Sequence, residues 1–109
     1  MNTHPPVIES RISEDGSSTL YRPDIDEHYH SVHGAIQESE HVFIRTGLDF
    51  FTGQEVSLLE VGFGTGLNAL LTMIYRNGRN IRYHAIERWP LSEELIAGLN
   101  YPVCLSSKT

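Results

Sequence analysis

Three glycines at alternate positions, Gly62, Gly64 and Gly66, are the residues of this sequence that point most clearly to chemistry. They stand between two apolar stretches, so the sequence predicts a turn that joins a buried strand to a helix. Glycine adopts the positive φ angles of a sharp turn and lets the backbone approach a ligand without a Cβ atom. The N–H groups that open a helix favour an anionic ligand. This turn is therefore the first candidate for a binding site.

The spacing of the glycines separates the classes of ligand that such a turn binds. A dinucleotide-binding loop has the pattern G-x-G-x-x-G, which would need glycine in place of Leu67. A Walker phosphate loop ends in Gly-Lys-Ser/Thr, which does not follow here. With Glu60 ahead of the three glycines, the pattern is E-x-G-x-G-x-G, which is typical of Rossmann-like methyltransferases. We therefore expect S-adenosylmethionine as the cofactor.

Two glutamates flank the predicted turn. Glu87 closes the next predicted strand, where an acidic side chain can accept hydrogen bonds from both ribose hydroxyls of a nucleoside cofactor. Glu60 lies at the end of the first strand, faces the same crevice and could meet the ammonium group of the cofactor. The alternative interpretation is that both are solvated residues at strand ends, with glycines between them.

The segments around this turn predict an α/β fold. Residues 56–61 form an apolar run that is typical of a fully buried parallel strand, and residues 81–87 predict a second strand. Residues 67–75 predict a helix closed by Asn77 and Gly78, and residues 92–99 predict another with Ser92 as its N-cap. This order predicts the right-handed βαβα start of a doubly wound, Rossmann-like sheet.

The N-terminal half predicts a different arrangement. Residues 7–13 and 17–21 predict a β-hairpin with its turn at residues 14–16. Residues 24–33 predict a functional loop or a short irregular helix, and residues 34–48 predict an amphipathic helix. We therefore divide the chain into an N-terminal hairpin, loop and helix over residues 1–52 and the first half of a cofactor-binding, Rossmann-like domain over residues 53–109.

Three longer blocks resemble one methyltransferase family. They are residues 26–44, residues 60–68, and residues 90–92 together with residues 99–102. The family methylates the aminomethyl group on the wobble uridine of tRNA, and it occurs alone or as the methyltransferase half of a bifunctional modification enzyme. The resemblance runs from about Gly16 to Pro102. It implies methyl transfer from S-adenosylmethionine to the primary amine of 5-aminomethyl-2-thiouridine.

The resemblance also implies roles for individual residues. The residues that it places around the cofactor are Glu60, Gly62, Gly64, Thr65, Gly66, Asn68 and Glu87. It places Tyr29, Ser31 and Glu38 near the transferred methyl group, as the catalytic residues. The partner that it implies is tRNA, bound mostly through regions that this sequence does not contain.

Two features of the family are missing from this sequence. The later strands of the family carry an Asp-Ala-Phe-type motif beside the substrate amine, and neither this motif nor the family's continuation is found in residues 103–109. A sheet of this class also needs more than two parallel strands. We therefore expect a truncated domain that self-associates through an exposed sheet edge. The alternatives are a non-catalytic remnant that at most binds S-adenosylmethionine, and a Rossmann-like methyltransferase with another small or RNA substrate.

The composition argues against several other classes of protein. The net charge of −6, from 14 acidic and 8 basic residues, is unsuited to sequence-independent binding of nucleic-acid phosphates. No apolar run approaches the roughly 20 residues of a membrane helix. Residues 1–6 do not resemble a secretory signal, and Cys104 is the single cysteine. We therefore expect a cytoplasmic protein that does not contact membranes.

Two clusters of side chains have simpler explanations than a metal site or an RNA-binding patch. His28, His30 and His33 lie close in sequence, but neither a strand nor a helix brings all three together, so we expect loop hydrogen bonds or contacts with the substrate and no metal. Arg76 and Arg79 follow the last turn of a predicted helix, where cations offset the helix dipole.

Overall fold

The computed structural model describes residues 4–106 and has the α/β character that the sequence predicts. Residues 1–3 and 107–109, which contributed to the expectations about a secretory signal and the family's continuation, lie outside the described residues. The first half contains, in chain order, strands β1 (Glu9–Ile12), β2 (Ser18–Arg22) and β3 (Glu27–His28), helix α1 (Ala35–Ser39), a π-helix (Glu40–Arg45) and a 3-10 helix (Leu48–Phe50). The second half contains strand β4 (Glu55–Val61), helix α2 (Leu67–Ile74), strand β5 (Asn80–Ile86) and helices α3 (Glu93–Ala97) and α4 (Tyr101–Cys104).

The predicted N-terminal hairpin is confirmed, and it has a third strand. Strands β1 and β2 pair antiparallel, and Gly16 in the turn between them has a φ of 84°. Strand β3 then pairs with β2, so the prediction of a loop or an irregular helix over residues 24–33 was wrong for these two residues. The cross-strand partners Tyr21 and His28 bring their ring centroids to 4.8 Å. A two-residue strand held by two cross-strand pairs is too short for a periodicity that a sequence could reveal.

The helix predicted over residues 34–48 is divided into three short segments. Helix α1 begins at Ala35 as expected, but it passes into the π-helix after Ser39. Near the end of the π-helix, the backbone N–H and the hydroxyl of Thr46 both donate to the carbonyl of His41. A threonine hydroxyl that bonds to the preceding turn competes with the regular α-helical ladder, which explains the change of helix type.

The hairpin turn caps helix α1, which the sequence did not predict. The N–H groups of the first three helical residues donate to three side chains of the turn, with distances of 3.1 Å for Ala35 to Ser13 Oγ, 3.2 Å for Ile36 to Ser17 Oγ and 3.1 Å for Gln37 to Asp15 Oδ2. These N–H groups have no partner inside the helix. The hairpin therefore fixes where α1 begins.

Strands β4 and β5 form the predicted parallel pair, in register from Glu55 opposite Asn80 to Val61 opposite Ile86. Val56 is buried on one face of this pair, where the core packs. On the other face Leu59, Val61 and Ile86 are 66%, 80% and 59% exposed. The prediction that residues 56–61 are fully buried was therefore wrong for this face, because nothing in residues 4–106 covers it.

Helix α2 and its end agree with the sequence analysis. The helix spans Leu67–Ile74, and Asn77 and Gly78 then take positive φ angles of 53° and 76°. The buried guanidinium of Arg79 donates to the carbonyl of Tyr75 (3.1 Å), one residue past the end of the helix, and to three further carbonyls. Arg79 therefore stabilises the C-terminal end of α2 by binding its carbonyl groups, as its position predicted.

The two C-terminal helices differ in how well they were predicted. Helix α3 is shorter than expected, but Ser92 caps it by accepting from the N–H of Leu95 (3.2 Å). Helix α4 was not predicted, and it docks on the hairpin, where the Tyr101 hydroxyl donates to the Ser18 carbonyl (2.6 Å). Buried Tyr101 and Leu105 thereby join the core.

The core draws on residues from both sides of the proposed division at residues 52 and 53, and the division itself stays a prediction. The buried core residues are Ala35, Ile36, Ile44, Leu48, Val56, Leu67, Leu71, Tyr101 and Leu105. Within residues 4–106, no helix combines the length and the apolar character needed to span a membrane.

Candidate functional site

The glycine turn lies between β4 and α2, and all three glycines adopt left-handed backbone angles. Their φ values are 85° at Gly62, 58° at Gly64 and 78° at Gly66. A Cβ atom on Gly64 would lie 3.1 Å from the ring of Tyr29, and one on Gly66 would lie 2.9 Å from the ring of Phe63. The glycines are therefore required by the backbone angles and, at two positions, by aromatic rings packed against the turn.

Glu87 fastens the middle of the turn to the end of β5. Its Oε1 accepts from the backbone N–H of Gly64 (2.8 Å), and its Oε2 accepts from the N–H of Trp89 (3.1 Å). Each carboxylate oxygen can accept a further hydrogen bond, so Glu87 can keep both contacts and still bind a ribose hydroxyl. The residue predicted to hold a ribose thus also shapes the turn.

Glu60 is held beneath the turn by two side chains. Its Oε2 accepts from the Asn68 amide (2.8 Å), and its Oε1 accepts from the Tyr83 hydroxyl (2.7 Å). Burial and this hydrogen bond raise the pKa of Tyr83, so the phenol stays protonated and remains a donor. Because the amide nitrogen of Asn68 faces the carboxylate, its Oδ1 points elsewhere, and this buried atom has no hydrogen-bond partner among residues 4–106.

The turn separates two clefts. The first, which we call the His30 cleft, has a volume of about 380 Å³, and its lining includes Tyr29, His30, Glu38, Glu60, Gly64 and Asn68. The second, which we call the Glu87 cleft, has a volume of about 620 Å³, and its lining includes Thr65, Gly66, Glu87, Pro90, Leu91 and Ile96. A ligand that touches both clefts must cross the glycine turn, since Gly64 lines each of them.

Most of the residues predicted for the site meet at these clefts. Of the three predicted catalytic residues, Tyr29 and Glu38 line the His30 cleft. Ser31 is not among the lining residues. Its N–H donates to Glu38 Oε1 (3.1 Å), and its hydroxyl accepts from the N–H of His33 (3.1 Å). In the described structure Ser31 thus orients Glu38.

Several residues that line the clefts were not predicted for the site. His30 was expected to make loop hydrogen bonds or contacts with the substrate rather than to bind a metal, but its partner was not predicted; its Nε2 is hydrogen-bonded to the Thr65 hydroxyl (2.9 Å). The apolar wall of the Glu87 cleft, formed by Pro90, Leu91 and Ile96, was also missed. The only signal for this wall was the family resemblance of residues 90–92.

The three neighbouring histidines make separate contacts. His28 packs against Tyr21, and His33 pairs with Glu14 (3.1 Å), while His30 turns into the cleft. Across residues 4–106, no group of three potential metal ligands comes together.

The His30 cleft is acidic and rich in hydrogen-bond acceptors. Glu38 and Glu60 contribute carboxylates, and neither lysine nor arginine occurs among its described lining residues. Burial lowers the pKa of His30, and the opposing effect of the two glutamates is smaller. His30 is therefore mostly neutral at pH 7, because the ordinary pKa of histidine is already about 6.5.

The sequence is similar to curated proteins named tRNA 5-methylaminomethyl-2-thiouridine biosynthesis bifunctional protein MnmC. The one from Cupriavidus metallidurans is 36% identical over 100 residues, which cover 84% of this chain and 15% of that protein. The one from Magnetococcus marinus is 36% identical over 95 residues, which cover 77% of this chain and 14% of that protein. The chain belongs to this MnmC family.

The family resemblance expected from the sequence is thereby confirmed. A third MnmC protein, from Leptospira interrogans, is 34% identical over 83 residues, which cover 66% of this chain and 13% of that protein. The chain spans about 15% of the length of the curated relatives that it matches. No family model and no solved structure matches the sequence.

Proposed function

We propose that this chain is the N-terminal part of an S-adenosylmethionine-dependent methyltransferase with a Rossmann-like fold. Its substrate is the aminomethyl group of wobble 5-aminomethyl-2-thiouridine in tRNA, and it acts in the cytoplasm. The observation that carries the proposal is the E-x-G-x-G-x-G turn, with three left-handed glycines, Glu87 bound to its centre and a cleft on each side. The names of the MnmC relatives support the tRNA substrate.

The residues around the turn fit the cofactor. Asn68 Oδ1, which is buried and has no partner among residues 4–106, and the carboxylate of Glu60, which binds the amide nitrogen of Asn68, suit the ammonium group of the methionine moiety. Glu87 suits the ribose hydroxyls, and the apolar wall of the Glu87 cleft suits the adenine ring. When bound, the cofactor supplies an electrophilic methyl group on a sulfonium.

The protein's contribution to this reaction is mainly positional. Attack by an amine on a sulfonium methyl needs a neutral amine held in line, and little further acid–base chemistry. Tyr29 and Glu38 are the predicted catalytic residues that line the cleft where the amine would lie, and Ser31 holds Glu38. Tyr29 also packs against Gly64, so it positions the turn and the substrate together.

A pair of glycine substitutions tests the cofactor site. Gly64→Val should abolish binding of S-adenosylhomocysteine, because its side chain would enter the space between the turn and Tyr29. Gly78→Val is the matched control, since Gly78 has a similar positive φ but lies at the far end of α2. Both variants carry a similar backbone penalty of roughly 1–2 kcal/mol. Equal loss of binding in the two variants, measured by titration calorimetry, would contradict the assignment.

A second candidate function is cofactor binding without turnover by this chain on its own. It is favoured by the exposed apolar face of the β4–β5 pair, which in the described residues has no covering element. We expect no methyl transfer when the 109-residue chain is incubated with labelled S-adenosylmethionine and undermethylated tRNA. Robust turnover in that assay would rule out this second candidate and establish the chain as a complete catalyst.

A further inference from the structure

Tyr83 supports the site from beneath, although it is not among the described lining residues of either cleft. It lies on β5 opposite Leu58 of β4, and Glu60 follows two residues further along β4 on the same face of the pair. Its hydroxyl donates to Glu60 Oε1 (2.7 Å), and the Asn68 amide of helix α2 donates to Glu60 Oε2 (2.8 Å). Side chains from two neighbouring elements therefore fix the position of one carboxylate.

The directions of these two hydrogen bonds follow from the chemistry of the groups. A carboxylate can only accept, so the Tyr83 hydroxyl and the amide nitrogen of Asn68 must be the donors. Burial, and then the hydrogen bond to Glu60, raises the pKa of Tyr83, so the phenol keeps the proton that it donates. Both donors are neutral groups, and they orient the carboxylate without cancelling its charge.

The charge of Glu60 has no cationic partner in the described part of the chain. None of the ion pairs within residues 4–106 includes Glu60, and its cleft has neither lysine nor arginine among the described lining residues. A half-buried carboxylate is costly without an opposite charge, because it has lost part of its hydration. A cationic group on a ligand in the cleft would supply the missing charge.

We propose that Tyr83 is a positioning residue that holds Glu60 in the orientation that receives the ammonium group of the cofactor, and so makes the site select ligands that carry this group. This inference rests on the proposed function, which places the ammonium group at Glu60. Without the Tyr83 hydroxyl, Glu60 keeps only its bond to Asn68, and its Oε1 is free to turn away. A lysine in place of Tyr83 would also bind Glu60, but it would neutralise the charge that the ammonium group needs.

Ligand selectivity separates this role from a purely structural one. The deamino analogue of S-adenosylhomocysteine, in which hydrogen replaces the amino group, keeps the adenosine, the thioether and the carboxylate. We expect the wild-type chain to prefer S-adenosylhomocysteine in titration calorimetry, and we expect Tyr83→Phe to lose roughly tenfold of this preference, the value of about one hydrogen bond. An unchanged preference in Tyr83→Phe, or equal weakening of both ligands, would overturn the inference.

Two further variants show whether the effect passes through Glu60. Tyr75→Phe is the matched control, since the Tyr75 hydroxyl also donates to a glutamate, Glu40, but neither residue is among the described lining of the clefts. This variant should keep the wild-type preference. In a chain that carries Glu60→Gln, adding Tyr83→Phe should not change the preference further, because Tyr83 acts through Glu60. A full additional loss in that background would contradict the inference.

Carbon-13 NMR of the unsubstituted chain, labelled in its tyrosine rings, gives a readout that does not depend on whether a variant folds. We expect the Cζ resonance of Tyr83 to shift when S-adenosylhomocysteine is added and to shift less with the deamino analogue, since the ammonium group draws on the same carboxylate. Equal shifts with both ligands, or an unmoved resonance, would contradict the inference. If S-adenosylhomocysteine binds while these results fail, the inference alone is wrong. If S-adenosylhomocysteine does not bind, the proposed function fails and the inference fails with it.

Discussion

Glu87 illustrates how one side chain can be predicted for a ligand and found to serve the protein as well. The sequence indicated a carboxylate at the end of β5, and the structure places that carboxylate on the N–H groups of Gly64 and Trp89. The two roles are compatible, because an acidic residue that holds the turn closed also brings its free lone pairs to the Glu87 cleft.

We predict that Glu87→Ala weakens binding of S-adenosylmethionine by roughly 1–3 kcal/mol, the value of the hydrogen bonds lost to the ribose and to the turn. Titration calorimetry measures the change. Glu93→Ala is the control, since Glu93 is an exposed glutamate in the first turn of α3 and lines neither cleft. Unchanged affinity in Glu87→Ala would remove Glu87 from the cofactor site.

His30 shows where prediction of the site from sequence ends. Alternate glycines and a strand-end glutamate are local patterns, and they predicted the turn and Glu87. The contact of His30 with Thr65 joins residues 35 positions apart, so the histidine's immediate neighbours in sequence gave no sign of it. The same applies to the oxygen of Asn68 that has no partner in the described part of the chain, which follows from the position of Glu60 on another element.

At the scale of elements, the hairpin turn does more than reverse the chain. Asp15 accepts from the N–H of Ser17 (3.0 Å), the Ser13 hydroxyl (3.0 Å) and the N–H of Gln37 in helix α1 (3.1 Å). Burial opposes ionisation of this carboxylate, but these hydrogen bonds and one from the Ser17 hydroxyl outweigh it and hold the pKa of Asp15 below its ordinary value of 3.8. One charged residue thus connects two elements.

We predict that Asp15→Ala lowers the free energy of unfolding at pH 7 by about 0.5–2 kcal/mol, as expected for loss of a helix-capping side chain. Because the folded-state pKa of Asp15 is depressed, its contribution is present above pH 3.8 and is lost as the pH falls through the folded-state value. The difference between wild type and variant should therefore shrink near pH 3. Denaturant unfolding at the two pH values measures it.

Asp49→Ala is the control for this prediction, since Asp49 is an exposed aspartate outside the hairpin. An equal loss of stability in both variants, or a difference between wild type and Asp15→Ala that stays constant down to pH 3, would contradict the capping role of Asp15.

The elements that the sequence predicted are those with local signals. β4, β5 and α2 follow from apolar runs with glycines at their boundaries, and the hairpin follows from its Asp-Gly turn. β3 depends on the pairing of Tyr21 with His28, and α4 depends on the bond from Tyr101 to Ser18, 83 residues away. Contacts of this kind leave no periodic pattern in the sequence, so these elements could not be predicted.

At the scale of the whole molecule, the β4–β5 pair is covered on one face and exposed on the other. The core gathers both halves of the chain on one face of the β4–β5 pair, while Leu59, Val61 and Ile86 are exposed on the other. Exposed apolar surface beside unpaired strands favours association with another chain. The sequence predicted strands that need burial on both sides, with neighbours missing at an edge and on both faces of the pair; the structure leaves one face open and covers the other with the core.

We predict that the isolated chain self-associates through this open face as its concentration rises. Sedimentation velocity should show the apparent mass rising as the protein concentration rises through the micromolar range. Replacing Leu59 and Val61 together by Gln should reduce this association. Val103→Gln is the matched control, since Val103 is 78% exposed but lies on α4 and not on β4 or β5. A monomer at all concentrations, with a cooperative melt at roughly 45–65 °C, would mean that these residues form a self-sufficient domain.

We propose above all that the glycine turn between the His30 cleft and the Glu87 cleft binds S-adenosylmethionine and not a dinucleotide. The direct measurement is calorimetric titration of the chain with S-adenosylmethionine, S-adenosylhomocysteine and NAD under the same conditions. The spacing of Gly62, Gly64 and Gly66 and the position of Glu87 predict saturable binding of the first two and weaker or no binding of NAD. Tighter binding of NAD would contradict the account.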